Sequence, residues 1–269
     1  GNDICSSASV LALTIERLVL HRSEEAGEHT DKSKEANLLG NYGHSSIQSF
    51  SYLLNILKSL KSLSTPYNLA IKNGAPQLVH FLKKVKFLLN QLSDGGSMFL
   101  PGGIGSSHPV LYIIEKEGEL YRLVIVNTDP NNGLEYHLGC ADTSPPKIKY
   151  QTCVVIRDIS YTKINDDAFW GMIFKLAILP PDKFNKPVVL YDILLPFLVD
   201  KPFEQILYES EQDEVIDYKT PQRSSTAAYR CLIHGCSYIL RRQGVGADDV
   251  KRILFGIKLQ MMLFIQHDL

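Results

Sequence analysis

The chain has 269 residues, 45% of them hydrophobic, enough to close a real core around one large domain or two small ones. A formal net charge of -1 and a pI near 6.8 argue against broad electrostatic attraction to nucleic acid or to an anionic membrane surface. No apolar run reaches transmembrane length, because Lys, Asp or Pro interrupts the longest ones.

Residues 1–22 read as an amphipathic helix and not as a signal peptide, since no basic leader precedes the apolar stretch and Glu16 and Arg17 lie within it. A first residue that is Gly fits a piece excised from something longer. Residues 21–45 are polar and charged and read as a connector. From Ser46, Ile47, Phe50, Leu53, Leu54, Leu57 and Leu60 recur at helical spacing, and Leu78, Phe81, Leu82, Val85, Leu88 and Leu89 repeat the pattern behind Pro76, which suits a first turn. The glycine-rich segment 95–107 then leads into two strand-like runs, HPVLYIIEKE and LYRLVIVNT, joined by a hairpin turn at Glu117-Gly118-Glu119. PKIKYQTCVVIRDIS reads as one further strand. DDAFWGMIFKLAIL and VVLYDILLPFLV read as helices, the second interrupted at Pro196. An acidic loop, ESEQDEVID, precedes the helix of STAAYRCLIHGCSYILRR, and a last helix starts near Ala247 or Asp248. Helices, then strands, then helices predict a mixed α+β fold.

Cys5, Cys140, Cys153, Cys231 and Cys236 are too scattered for a disulfide framework, which favours a reducing, intracellular setting. No CxxC pair, zinc spacing, Walker motif, dinucleotide fingerprint or G-x-S-x-G is present, so no metal or cofactor is expected. His108 stands at the entry of one strand and Asn127 at the exit of the next. An antiparallel hairpin brings those two ends together, so the Asn127 amide oxygen is expected to orient the imidazole, with Asp129 as its substitute.

A histidine opening a strand and an apolar strand closing in VNT resembles the His–Asn half of papain-like cysteine peptidases. The helix start S-T-A-A-Y-R-C-L-I resembles the nucleophile motif of ubiquitin-specific peptidases and their relatives, with the cysteine replaced. Matched onto this sequence, Thr226 is the small residue before the nucleophile, Ala227 is the nucleophile position, and Gln222, five residues upstream, is the side-chain donor to the oxyanion. The order His, Asn, nucleophile departs from the usual Cys, His, Asn and fits permuted members such as certain desumoylating isopeptidases. Alanine has no sulfur to attack with, so the chain as written is expected to be inert by this route. The surroundings favour a deliberate Cys→Ala replacement over a natural pseudoenzyme.

The resemblance implies a papain-like α+β fold with a central antiparallel sheet, a helical region over 1–94 and a catalytic region over 95–269, the two forming one compact unit. It implies a thiol isopeptidase acting on ubiquitin or a related modifier, with His108 as general base and the 95–107 segment as a mobile lip. No nucleic acid and no membrane partner is expected. A pseudoprotease or helical binding module, and an acyltransferase or deamidase with the same triad, stand as alternatives. Cys231, one turn after Ala227, competes as nucleophile but suits packing better, and His137 is a second candidate base lining the same cleft.

Overall fold

Strands between residues 97 and 160, with a short one at Tyr218–Lys219, build two antiparallel sheets, and amphipathic helices cover the larger one. The structure, a computed structural model, describes residues 4–25, 44–105, 108–143, 146–179, 186–215, 217–221 and 226–267. The strands are β1 (Ser97–Gly103), β2 (Pro109–Glu117), β3 (Leu120–Val126), β4 (Gly139–Thr143), β5 (Pro146–Gln151), β6 (Cys153–Ser160) and β7 (Tyr218–Lys219). They form one sheet in the order β1-β2-β3-β6 and a smaller one in the order β4-β5-β7. The helices are α1 (Ile4–Glu25), α2 (His44–Asn73), α3 (Ala75–Asn90), α4 (Tyr161–Ile164), α5 (Asp167–Ile178), α6 (Leu195–Val199), α7 (Phe203–Glu211), α8 (Ala227–Arg242) and α9 (Ala247–His267). None of those described is long and apolar enough to cross a membrane.

The α+β expectation holds: a helical N-terminal region precedes antiparallel sheets with flanking helices. Residues of α1, α2 and α3 belong to the same contiguous apolar core as the sheet, through Leu11, Leu57 and Phe81 among others. β2 is buried from Pro109 to Glu115 because both faces of the sheet are covered. Successive side chains of a strand point to opposite faces. Leu111 and Ile113 meet α8 at Gly235, whereas the Tyr112 ring stands edge-on to Trp170 of α5 at 6.5 Å between centroids. A helix lies on each side.

Several expected boundaries move. The stretch 95–107 is not a lip over its whole length: Ser97–Gly103 is a buried strand paired along β2, from Ser97↔Glu115 to Gly103↔Pro109. Its glycines serve close packing, since a Cβ at Gly102 would lie 2.1 Å from the Tyr112 ring. The run PKIKYQTCVVIRDIS divides at Thr152 into β5 and β6, which belong to different sheets. Helix α2 continues to Asn73 through Pro66, because Tyr67 and Ala70 extend its buried stripe. The acidic loop begins later than expected, since α7 runs to Glu211 and buries Phe203, Ile206 and Ser210. The VVLYDILL segment starts as a π-helix over Val189–Leu194 and tightens into α6, where Pro196 fits the first turn. Of the connector 21–45, residues 26–43 lie outside the described residues.

Helix α8 is held along β2 by a polar cluster at its C-terminal end. Tyr238 donates to Glu115 Oε2 at 2.9 Å, and Arg242 pairs with Glu117. Arg122 reaches Glu117 at 3.0 Å and Asp213 at 3.3 Å, and Arg157 reaches the same Asp213 oxygen at 2.8 Å. Burial pushes the Glu115 carboxyl up, and Arg242, Tyr238 and Arg122 pull it back. The Asp213 side chain is only 2% exposed, so its charge depends on those two guanidinium groups. Removing one partner of a buried pair strands the other charge without solvent. We predict that Arg122→Ala lowers the free energy of unfolding by about 3 kcal/mol in urea titration, whereas Lys251→Ala, which breaks an exposed pair with Asp248, leaves the midpoint in place. Equal midpoints for the two variants would remove the cluster from the account of stability.

Candidate functional site

The β2–β3 hairpin turns in two residues. Glu117 pairs with Leu120, and Gly118, at φ 61°, occupies the first central position of the loop, where a left-handed residue is required. The register then runs without slip to Leu111↔Val126. Continued three positions beyond that pair, it sets His108 opposite Asp129, not opposite Asn127. The side chains meet accordingly: His108 Nδ1 lies 2.7 Å from Asp129 Oδ2. A carboxylate only accepts, so Nδ1 carries the proton and the Nε2 of the neutral ring holds the lone pair a general base needs. The imidazole is 35% exposed and the carboxylate 10%, which leaves the ring open to solvent and its partner shielded.

Asn127 is fully buried and does another job. Its Nδ2 donates to the Asn132 carbonyl at 2.9 Å and to the Tyr191 hydroxyl at 3.2 Å, and its Oδ1 accepts from the Asp129 backbone N–H at 3.0 Å. The expected order of the two orienting candidates is therefore reversed: Asp129 holds the imidazole, and Asn127 holds the loop that carries Asp129. The signal was present in the sequence, because a two-residue turn at Gly118-Glu119 dictates the pairing 108 with 129.

Contacts along α8 show that it runs in the same direction as β2. Cys231 Sγ lies 3.7 Å from the Pro109 carbonyl and 3.6 Å from Thr128 Oγ1, Gly235 meets Leu111 and Ile113, and Tyr238 meets Glu115. The start of α8 thus lies at the end of the sheet where the His108–Asp129 pair stands. Ala227 opens the helix one turn before Cys231, about 6 Å along the axis. It is buried, yet it does not belong to the contiguous apolar core that includes Ala228, Cys231 and Leu232. Helix starts present backbone N–H groups without intrahelical partners, an environment that favours a thiolate. Gln222 lies outside the described residues.

The competing nucleophile and base are both sealed. Cys231 is fully buried, and burial pushes its thiol up to about 11 despite the help of Thr128. Cys236 is pushed by burial to about 12. His137 does not line an open cleft: it is 3% exposed, with Nδ1 at 2.6 Å from the Gln151 carbonyl and Nε2 at 2.8 Å from the Tyr191 hydroxyl. Tyr191, placed by the π-helix, had no legible signal in its apolar run. Among the described residues no group of His, Cys, Asp and Glu could hold a metal ion.

No protein-family model, curated protein or solved structure matches the chain.

Burial holds the His137 imidazole down to about 4, against an unfolded value of about 6.5. Between those values the unfolded chain binds a proton that the native state refuses. This contribution to stability is complete above pH of about 6.5 and is lost as pH falls toward about 4, by up to ~3 kcal/mol. His234, also lowered by burial to about 4, adds to the same slope. We predict that urea unfolding free energies fall over this interval and that His137→Asn flattens the slope by up to one proton. An unaltered slope in the variant would contradict a neutral, buried His137.

Proposed function

We propose that the protein has the scaffold of a papain-like thiol isopeptidase in permuted order, with position 227 as the nucleophile site. The observation that carries this is the 2.7 Å contact between His108 and Asp129 at the same end of the sheet as the start of α8. A base with its tautomer set by a carboxylate, close to a helix start, has the chemistry that thiol activation needs.

With cysteine at 227, His108 Nε2 takes the thiol proton and the thiolate attacks the carbonyl carbon of the scissile amide. The oxyanion that forms is stabilised by N–H groups of the helix start, and the family resemblance adds Gln222 as a further donor. Collapse expels the amine, which receives the proton from the His108 imidazolium, and leaves a thioester. Water then attacks that thioester with His108 again as base, and the thiol is regenerated. Asp129 holds the ring and stabilises its charged form throughout. The chain as written has a methyl group at Ala227 and stops before the first step; it would bind substrate without turning it over. The resemblance of the 225–233 segment to the nucleophile motif of ubiquitin-specific peptidases points to a modifier such as ubiquitin as the substrate class.

The deciding experiment restores the sulfur with Ala227→Cys and offers a ubiquitin whose C-terminus carries a thiol-reactive group. We expect one covalent adduct per chain by mass spectrometry, absent from the parent chain and lost from Ala227→Cys/His108→Ala. Iodoacetamide should alkylate the new thiol with a pH midpoint below the ordinary value of about 8.5. An ordinary midpoint that ignores His108 would refute the nucleophile assignment. An activated thiol without a ubiquitin adduct would refute the modifier, and tight ubiquitin binding by an unactivated thiol would favour the binding module.

A further inference from the structure

Behind Asp129 lies a chain of hydrogen bonds whose direction is fixed from its far end. The Gln151 carbonyl can only accept, so the His137 Nδ1, 2.6 Å away, carries the proton of that ring. Neutral His137 then has a lone pair on Nε2, and the Tyr191 hydroxyl, 2.8 Å away, must donate to it. That commits the Tyr191 oxygen to accepting, and it accepts from Asn127 Nδ2 at 3.2 Å. With its amide orientation set, Asn127 presents Oδ1 to the Asp129 N–H at 3.0 Å. Asp129 Oδ1 takes the Asn131 N–H at 3.0 Å, which leaves Oδ2 aimed at His108. Each link from His137 to Asn127 is buried, so no water competes for the partners. Burial raises the Tyr191 phenol far above its ordinary value, and this keeps it a donor at any working pH.

We propose that Tyr191 is a positioning residue for the His108–Asp129 pair, its hydroxyl locked by His137 and acting through the Asn127 amide on the loop that carries Asp129. As a role in catalysis this rests on the assignment of His108 as the general base. As a property of the pair it stands by itself. Tyr191 touches neither His108 nor the reacting atoms. Its effect is to hold the carboxylate against the imidazole, so loss of the hydroxyl loosens Asp129 and weakens the hydrogen bond it accepts from His108 Nδ1–H.

The test is the NMR signature of the His108 ring at fixed pH in the protein as it exists, read against isosteric variants. Asp129→Asn sets the scale and should move the Nδ1–H resonance upfield and speed its exchange with solvent, because the charge-assisted hydrogen bond is lost. Tyr191→Phe should move that resonance in the same direction by a measurable part of that shift and broaden it. Tyr112→Phe is the control: its hydroxyl is likewise buried but has no hydrogen-bond partner among the described residues, and its loss should leave the resonance unchanged. If Tyr191→Phe does not fold, His137→Asn keeps a donor for Gln151 and deletes only the acceptor for Tyr191, and the same shift is expected. A His108 Nδ1–H resonance that ignores both network variants, or that moves equally with Tyr112→Phe, overturns the positioning role whatever the thiol probe reports. A shift with the network variants alone upholds it even if Ala227→Cys proves unreactive, in which case the peptidase mechanism fails separately.

Discussion

The two-residue turn at Gly118-Glu119 sets the pairing of β2 with β3, and the arrangement at the far end of the hairpin depends on it. Gly118 at positive φ closes the turn without an extra residue, so every pair down to Leu111↔Val126 follows from Glu117↔Leu120. A slip by one residue would exchange the faces of the whole strand. It would turn Leu111 and Ile113 away from α8 and Tyr112 away from Trp170, exposing β2 surfaces that are now buried on both sides. The burial of β2 therefore enforces the register that brings a carboxylate to an imidazole about 30 Å from the turn, nine residues away at 3.3 Å each.

Helix α8 converts that register into a position for its own first residue. Its middle is tied to the sheet by close approach: a Cβ at Gly235 would stand 2.5 Å from Leu111 Cδ2. Glycine within a helix costs about 1 kcal/mol relative to alanine, and the dense packing of Phe99, Leu111 and Ile113 against the bare backbone offsets it. At its C-terminal end Tyr238 and Arg242 are fastened to Glu115 and Glu117, where cations also favour the helix dipole. Two anchors along one strand leave the helix little freedom to slide, so the start of α8 stays at the open end of the hairpin beside Pro109 and Thr128. Charge sits at the C-terminal end of this interface, and apolar packing lies along its middle.

The polar chemistry is arranged so that buried groups stay neutral or paired. His137 and Tyr191 satisfy one another in their uncharged forms, Asp213 is met by two guanidinium groups, and the thiols of Cys231 and Cys236 stay protonated by desolvation. His108 differs, with its ring open to solvent and a shielded carboxylate behind it. That contrast separates an imidazole open to solvent from His137, which is sealed within the fold.

The amino-acid sequence alone determined the types of α2, α3, α8, β2 and β3, because helical spacing and the apolar runs on either side of Gly118 are local patterns that each segment carries within itself. It also determined that His108 would meet a partner from the 127–129 segment, since a hairpin joins the start of one strand to the end of the next. Only the tertiary structure decided which partner: Asn127 and Asp129 differ in whether Tyr191, 62–64 residues onward, claims the side chain. It alone decided that Ser97–Gly103 is a buried strand, that Thr152 divides two sheets, and that α8 begins beside the hairpin's open end. These outcomes arise from packing between segments distant in sequence, and no periodicity within one segment encodes the surface that another will present to it.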